Sequence, residues 1–335
     1  MSNDKYAPPF HMTDAVIEKI SEISELIGSV TAWQDMNASP KLRRESRIKT
    51  IHSSLAIENN TLSIDQVTAI VNSKRILGEP KEVQEVKNAF DAYERLLTFD
   101  PYSAGDLLKA HNMLMNELVY KVGVFRSGGV GIFNGDKLIH MAPPADMVPE
   151  LIGNLLAWTE TSNVHPLVKS CVFHYEFEFI HPFTDGNGRM GRMWNTLLLY
   201  KWKPIFAWLP IETLIRERQD LYYAALAQSD QTADAAPFVE FLLTVIRDTL
   251  HEISETQIGT AGESISVPVK LMLEKLDGDI LSARQIMERL GLKSRASFRK
   301  VYLVPALDQN LIEMEHPDKP NSSKQRYRKT NSARK

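Results

Sequence analysis

The stretch His181-Pro182-Phe183-Thr184-Asp185-Gly186-Asn187-Gly188-Arg189-Met190-Gly191-Arg192 places a glycine turn between an apolar run and a basic amphipathic one. Gly186 and Gly188 free the backbone to turn tightly and expose its N–H groups, and Arg189 to Lys201 has the periodicity of the helix that follows. A helix N-terminus behind such a turn attracts phosphate through orphan N–H donors and the positive end of the dipole. The Asn187 amide can add a donor to the same oxygens. Arg189 and Arg192, three apart and so on one face, add permanent charge in bidentate geometry. Asp185 offers one hard carboxylate oxygen, which suits Mg²⁺ held by a carboxylate, phosphates and water. His181 supplies a neutral imidazole able to take a proton from an attacking hydroxyl, with Pro182 and Phe183 packed to orient it. A Gly-Asn-Gly turn alone is ordinary loop-to-helix punctuation. Here a base, a carboxylate, an anion cradle and two guanidinium groups coincide in order. The loop has neither the Gly-Lys-Ser/Thr of a P-loop nor the strand and glycine pattern of a dinucleotide fold.

Outward from this stretch the periodicity is helical almost throughout: Asp14 to Leu26, Arg43 to Ile57, Ser63 to Ser73, Glu82 to Leu97, Ala104 to Leu118, Met147 to Glu160, Leu167 to Ile180 and Pro237 to Ile253. Upstream, in Ser53-Ser54-Leu55-Ala56-Ile57-Glu58-Asn59-Asn60, Ser54 and Glu58 are one helical turn apart, and the asparagine pair is a helix stop. Between the two motifs, Gly123-Val124-Phe125-Arg126 leads to Gly128 to Ile132, Asn134-Gly135-Asp136 and Leu138-Ile139-His140-Met141. That is a hairpin signal in a helical chain. Tyr222-Tyr223-Ala224-Ala225-Leu226 reads as a helical segment with core aromatics.

The central stretch matches, at every specified position, the signature of the Fic family, His-Pro-Phe-x-Asp/Glu-Gly-Asn-Gly-Arg-x-x-Arg, and the chain resembles that family over nearly its whole length. The resemblance implies transfer of AMP from ATP to a hydroxyl side chain (Ser, Thr or Tyr) of a protein, itself included. His181 would deprotonate the target and Asp185 would bind Mg²⁺. Phe183, Gly186, Asn187 and Gly188 would shape the hold on the α- and β-phosphates, with Arg189 and Arg192 on the distal ones. The Ser54…Glu58 pair resembles the family's inhibitory motif, which implies that Glu58 pairs with Arg192 and denies the γ-phosphate its partner. The hairpin would be a flap over the site, with Ile139, His140 and Met141 pairing with the target's backbone, and Tyr222 would border the base or ribose. The same resemblance leaves open removal of AMP or transfer of another phosphate-bearing group.

With 335 residues, 43% hydrophobic content and a net charge of −3, the chain has material for about two soluble domains. No run approaches a transmembrane length and residues 1–11 lack a hydrophobic signal region, so the expected location is cytoplasmic, with no membrane partner. The lone Cys171 sits in an apolar helix and reads as a buried structural thiol; His174 and Glu176 in that helix lack metal-site spacing. The expected organisation is an N-terminal helical region over 1–100, with the inhibitory helix at about 43–59, then a helical catalytic core with its hairpin over 101–258. A linker over 259–266 and a winged helix over 267–335 complete it. In the last region Ser282 to Leu290 forms a capped helix ending at Gly291, Ser294 to Asn310 a second helix, and Leu311 to Glu315 with Gln325 to Thr330 a hairpin. Seven Lys/Arg against one acid from His316 to Lys335 would suit DNA phosphates. Pro305 interrupts the would-be recognition helix, which favours protein contact or a homo-oligomer over DNA and leaves a DNA-binding regulator as the rival outside enzymes.

Overall fold

The computed structural model describes residues 6–29, 40–134, 137–261, 267–276, 279–292, 294–308, 311–316, 322 and 325–330. The chain divides into two compact units, Met1–Ser254 and Glu255–Lys335. The fold is mainly helical with few strands.

The first unit holds α1 (Asp14–Ser29), α2 (Pro40–Ile57), α3 (Ile64–Val71), α4 (Pro80–Glu94), α5 (Ala104–Met115), the strands β1 (Gly131–Asn134) and β2 (Lys137–Met141), then α6 (Val148–Thr161), α7 (Pro166–Ile180), α8 (Asn187–Trp202), α9 (Ile211–Glu217), α10 (Gln219–Thr232) and the start of α11 (Ala236–Ala261). Helix α7 is buried on nearly every face, as a helix without an amphipathic stripe must be. Its partner α8 carries the motif arginines and is buried almost as completely. Cys171 lies wholly inside α7, and burial pushes its thiol well above the usual range.

Helix starts differ from the periodicity where local chemistry sets them. Helices α2 and α4 open at Pro40 and Pro80, because proline at the first helical position loses no hydrogen bond. Helix α3 starts behind a reciprocal capping box in which the Ser63 hydroxyl accepts from Gln66 N–H and the Gln66 side chain accepts from Ser63 N–H. Helix α8 starts at Asn187, two residues before Arg189, so both arginines leave its first two turns. Among the described residues β1 and β2 form an antiparallel pair, Gly131 opposite Met141 and Ile132 opposite His140, with a register shift after Ile132. The Gly135-Asp136 turn of this hairpin lies outside the described residues.

The second unit holds α12 (Val267–Leu276), β3 (Leu281–Ser282), α13 (Ala283–Leu290), α14 (Arg295–Phe298), a π-helical turn over Arg299–Leu303, α15 (Val304–Asp308), β4 (Ile312–Met314) and β5 (Arg326–Lys329). The strands form an antiparallel sheet in the order β3-β5-β4. Met272, Leu276, Ile286, Phe298, Ala306, Ile312 and Tyr327 fill its core. Gly291, at φ 68°, ends α13. This is the element order of a winged helix.

Pro305 does not interrupt the long helix. The chain widens into the π turn directly before it, which relieves the clash between a proline ring and the carbonyl one turn back, and helical geometry resumes at Val304. Helix α11 runs to Ala261, so the first residues of the expected linker are helical. Residues 262–266 of that linker, and residues 317–321, 323–324 and 331–335 of the basic tail, lie outside the described residues. No helix among the described residues is long and apolar enough to cross a membrane.

Candidate active site

Helix α7 ends at His181, whose N–H closes on Phe177 O at 3.0 Å while its backbone turns left-handed at φ 50°. A non-glycine residue holds that conformation only under constraint, at a cost of about 1 kcal/mol or more. The constraint is Arg126. Its guanidinium donates to the carbonyls of His181 (2.7 Å), Gly128 (2.9 Å), Pro143 (2.5 Å) and Ile180 (3.2 Å), and its own N–H donates to Pro182 O. One buried arginine thus fixes the turn and ties it to the chain flanking the hairpin. His181 Nδ1 lies 3.3 Å from Glu178 O. Since a carbonyl only accepts, Nδ1 carries the proton and Nε2 is the basic nitrogen.

His111, on α5, supports the loop from below. Its ring stacks on Phe183 with centroids 3.7 Å apart and planes 9° from parallel. Gly123 N–H donates to Nδ1 at 3.0 Å, so Nε2–H donates to Asp185 O at 3.1 Å. Burial, ahead of that backbone bond, drives its pKa down to about 4, so the ring is neutral at pH 7. Sequence reading missed both His111 and the role of Arg126. The legible signal for His111 was its place beside Leu107, Ala110 and Leu114 on the apolar face of an amphipathic helix.

Gly186 sits at φ 86°, and a Cβ there would meet Met115 Sδ at 2.6 Å, so only glycine turns the corner. The Asn187 side chain closes this same corner. Its amide oxygen accepts from Phe183 N–H (2.8 Å) and its nitrogen donates to Phe183 O (2.9 Å), within a residue 2% exposed. The sequence predicts an amide donor aimed at phosphate; in the structure both ends of the Asn187 amide close the loop on Phe183. Asp185 Oδ1 accepts from Gly186 N–H (2.5 Å) and from Arg189 (3.0 Å), with its side chain 47% exposed. Arg189 also reaches Glu85 at 3.3 Å, and Asn60 holds the other Glu85 oxygen.

Arg192 is buried against the end of α2. It donates through Nε to Ser54 Oγ (3.0 Å), and through Nη2 to Ser54 O (3.0 Å) and Glu58 Oε1 (2.8 Å). Burial, the largest single effect, opposes its charge, but Glu58, Tyr222 and Glu178 together outweigh burial and push the guanidinium pKa up. Glu58 stands just past α2, where Asn59 turns left-handed at φ 68°, as the asparagine stop predicts. A Cβ built at Gly188 would run into Glu58 Oε1. The carboxylate therefore lies against the first turn of α8, where dipole and orphan N–H groups favour an anion.

Tyr222 is corrected. It is 2% exposed and packs among His174, Tyr223, Phe238 and Phe241, so its ring belongs to the core and Tyr223 is the more exposed of the two. Ile139 and His140 lie on β2 by backbone, Met141 at its end is 66% exposed, and β2 passes beside α10. His174 is fully buried, and Glu176 accepts from Tyr6 at 2.9 Å. No cluster of three or more His, Cys, Asp or Glu able to hold a metal occurs among the described residues. A lone half-exposed carboxylate at the phosphate cradle fits Mg²⁺, which needs one or two carboxylates when phosphates supply the rest.

Residues 101–199 match the Fic/DOC family, and residues 267–330 match the family described as filamentation induced by cAMP protein Fic-like, C-terminal domain. The chain is 28% identical over 238 residues to the protein adenylyltransferase fic-1 of Caenorhabditis elegans, covering 67% of this chain and 44% of that protein. It is 26% identical to the protein adenylyltransferase Fic of Nematostella vectensis, covering 70% and 55%. It thus spans about half the length of these relatives. Fic-1 (residues 134–508) from C. elegans shares the fold at 21% identity and TM-score 0.59, over 73% of this chain and 72% of that one. A Fic family protein from Desulfovibrio desulfuricans G20 superposes with TM-score 0.74 at 52% identity, covering 97% of this chain and 99% of that one. With its signature stretch folded into one loop-to-helix cradle and a relative this similar along its length, the chain belongs to the Fic family.

Proposed function

We propose that the chain is a protein adenylyltransferase that moves AMP from ATP to a protein hydroxyl, its own included, and that Glu58 holds it in check. The observation that carries this reading is the Glu58 carboxylate paired with Arg192 on the first turn of α8, an anion seated in an anion cradle. The polyphosphate would take the exposed N–H groups of that turn, with Arg189 and Arg192 on its distal oxygens. His181 Nε2 takes the proton of the target hydroxyl, the oxygen bonds the α-phosphorus, and the bond from that phosphorus to pyrophosphate breaks. Asp185 would hold Mg²⁺, which when bound neutralises charge on the leaving pyrophosphate. The β1–β2 hairpin would present the target's backbone.

Incubation with ATP labelled at the α-phosphate and, separately, at the γ-phosphate tests the reaction. Label retained only from the α position, and lost in His181→Ala while ATP still binds, is the expected result. Label retained from the γ position, or none from either in a Glu58→Gly variant, overturns AMP transfer.

A further inference from the structure

Behind His181 lies a buried carboxyl that the reaction as described leaves without a task. Glu178 is 4% exposed, and its Oε1 has no hydrogen-bond partner among the described residues. On its own helix it stands 3.7 Å from His174 Nε2 and, through Oε2, 3.9 Å from His181 Nδ1. Gly191 of α8 makes room for it: a Cβ there would meet Glu178 Oε1 at 2.7 Å and the His174 ring at 3.1 Å. The other charged or titratable groups facing it are Arg192 on α8, Glu58 past the end of α2, and Tyr222 and Tyr223 on α10. Simple packing is a poor account of a carboxyl here, because leucine or methionine would fill the space without leaving a buried polar atom unsatisfied.

We propose that Glu178 is the positioning residue of the His181 base, a carboxylate on the Nδ1 side of the ring that stabilises the imidazolium formed when Nε2 takes the target's proton. This rests on the assignment of His181 as base. The Glu178 backbone carbonyl fixes the tautomer, and its side chain, ionised, supplies the countercharge at 3.9 Å in a site shielded from water. Arg192 makes ionisation possible and Glu58 competes for the same guanidinium. Burial first, then Glu58 against the relief from Arg192, hold Glu178 up at about 8. Withdrawal of Glu58 from Arg192 therefore does two things: it clears the anion cradle and lets Glu178 ionise behind the base.

The test compares full-length Glu58→Gly with Glu58→Gly/Glu178→Gln, following AMP incorporation from ATP against pH. Glutamine keeps the shape of the neutral acid. The expected parent profile has a rise with a midpoint at or below about 8 that the Gln variant lacks, with kcat down about tenfold on the alkaline plateau and KM for ATP unchanged. Glu178→Asp should recover part of the rise. Superimposable profiles, or a uniform loss at every pH, overturn the positioning role. No AMP transfer from Glu58→Gly itself would instead overturn the adenylyltransferase reading.

Discussion

Gly186 shows how much of the site rests on single residues. Its φ of 86° and the Met115 sulfur beside it leave no space for a side chain. Gly186→Ala should therefore cost about 1–3 kcal/mol of stability, from left-handed strain and crowding together, read as a lower urea midpoint at unchanged slope. An unchanged midpoint would mean the loop relaxes freely. The two glycines of this loop differ in kind. Gly186 is required by backbone geometry, whereas Gly188 is required by a neighbour, since its missing Cβ is what lets Glu58 approach α8. Sequence alone identifies both as glycine and cannot separate these reasons, because the second depends on a residue 130 positions upstream. The same limit hid Arg126 and His111. An arginine donating to four carbonyls, and a histidine whose tautomer is set by Gly123 and Asp185, have no local pattern.

At the scale of elements, helices α2, α4, α5, α6, α7, α8 and α11 were legible from apolar spacing, and their starts shifted where proline or a cap decides the first turn. Helix α9 was not, and of α10 only Tyr222 to Leu226 was. Their residues form short, mixed runs whose burial comes from neighbours rather than from a stripe of their own. Position 305 shows propensity overridden in part. Proline forbids a regular α-turn, and the helix answers with a π turn over Arg299–Leu303 instead of stopping. Pro305→Ala restores the missing donor and should let this stretch close as ordinary α-helix, raising the thermal stability of the C-terminal unit by about 1 kcal/mol or more. A fall in stability would mean that the π turn makes contacts the unit needs. Asn187 marks the boundary of motif reading: the residue type was legible, but whether its amide faces a ligand or its own loop was decided by Phe183.

Over the whole molecule, burial of carboxyls sets a pH dependence. Glu212 on α9 is fully buried beside Tyr93, Thr196 and Arg47, and desolvation, ahead of the hydrogen bonds and charges that oppose it, raises its pKa from 4.5 to about 7. The folded state then holds a proton that the unfolded state releases between those values, so stability falls as pH rises from about 4.5 to 7. Glu212→Gln should flatten that fall, and an equally steep decline in the variant would remove Glu212 from the account. The C-terminal unit has its own core, and its basic tail raises the question of DNA. We expect truncation after Ala261 to leave AMP incorporation within a few-fold, and the full chain to show no sequence-selective duplex binding at physiological salt. Selective binding lost on truncation would reverse that assignment.

The Glu58–Arg192 pair joins two ends of the first unit, a carboxylate at the end of α2 and a guanidinium on α8. One charge-assisted pair contributes about 1.5–3 kcal/mol, which corresponds to roughly ten- to a hundredfold in rate if it must break before ATP can react. The direct measurement is the rate of AMP incorporation from α-labelled ATP by Glu58→Gly, beside wild type and Arg192→Ala. A rise of tenfold or more in Glu58→Gly, without a comparable rise in Arg192→Ala because that arginine would also serve the γ-phosphate, is the predicted result. A Glu58→Gly rate equal to wild type would contradict the account.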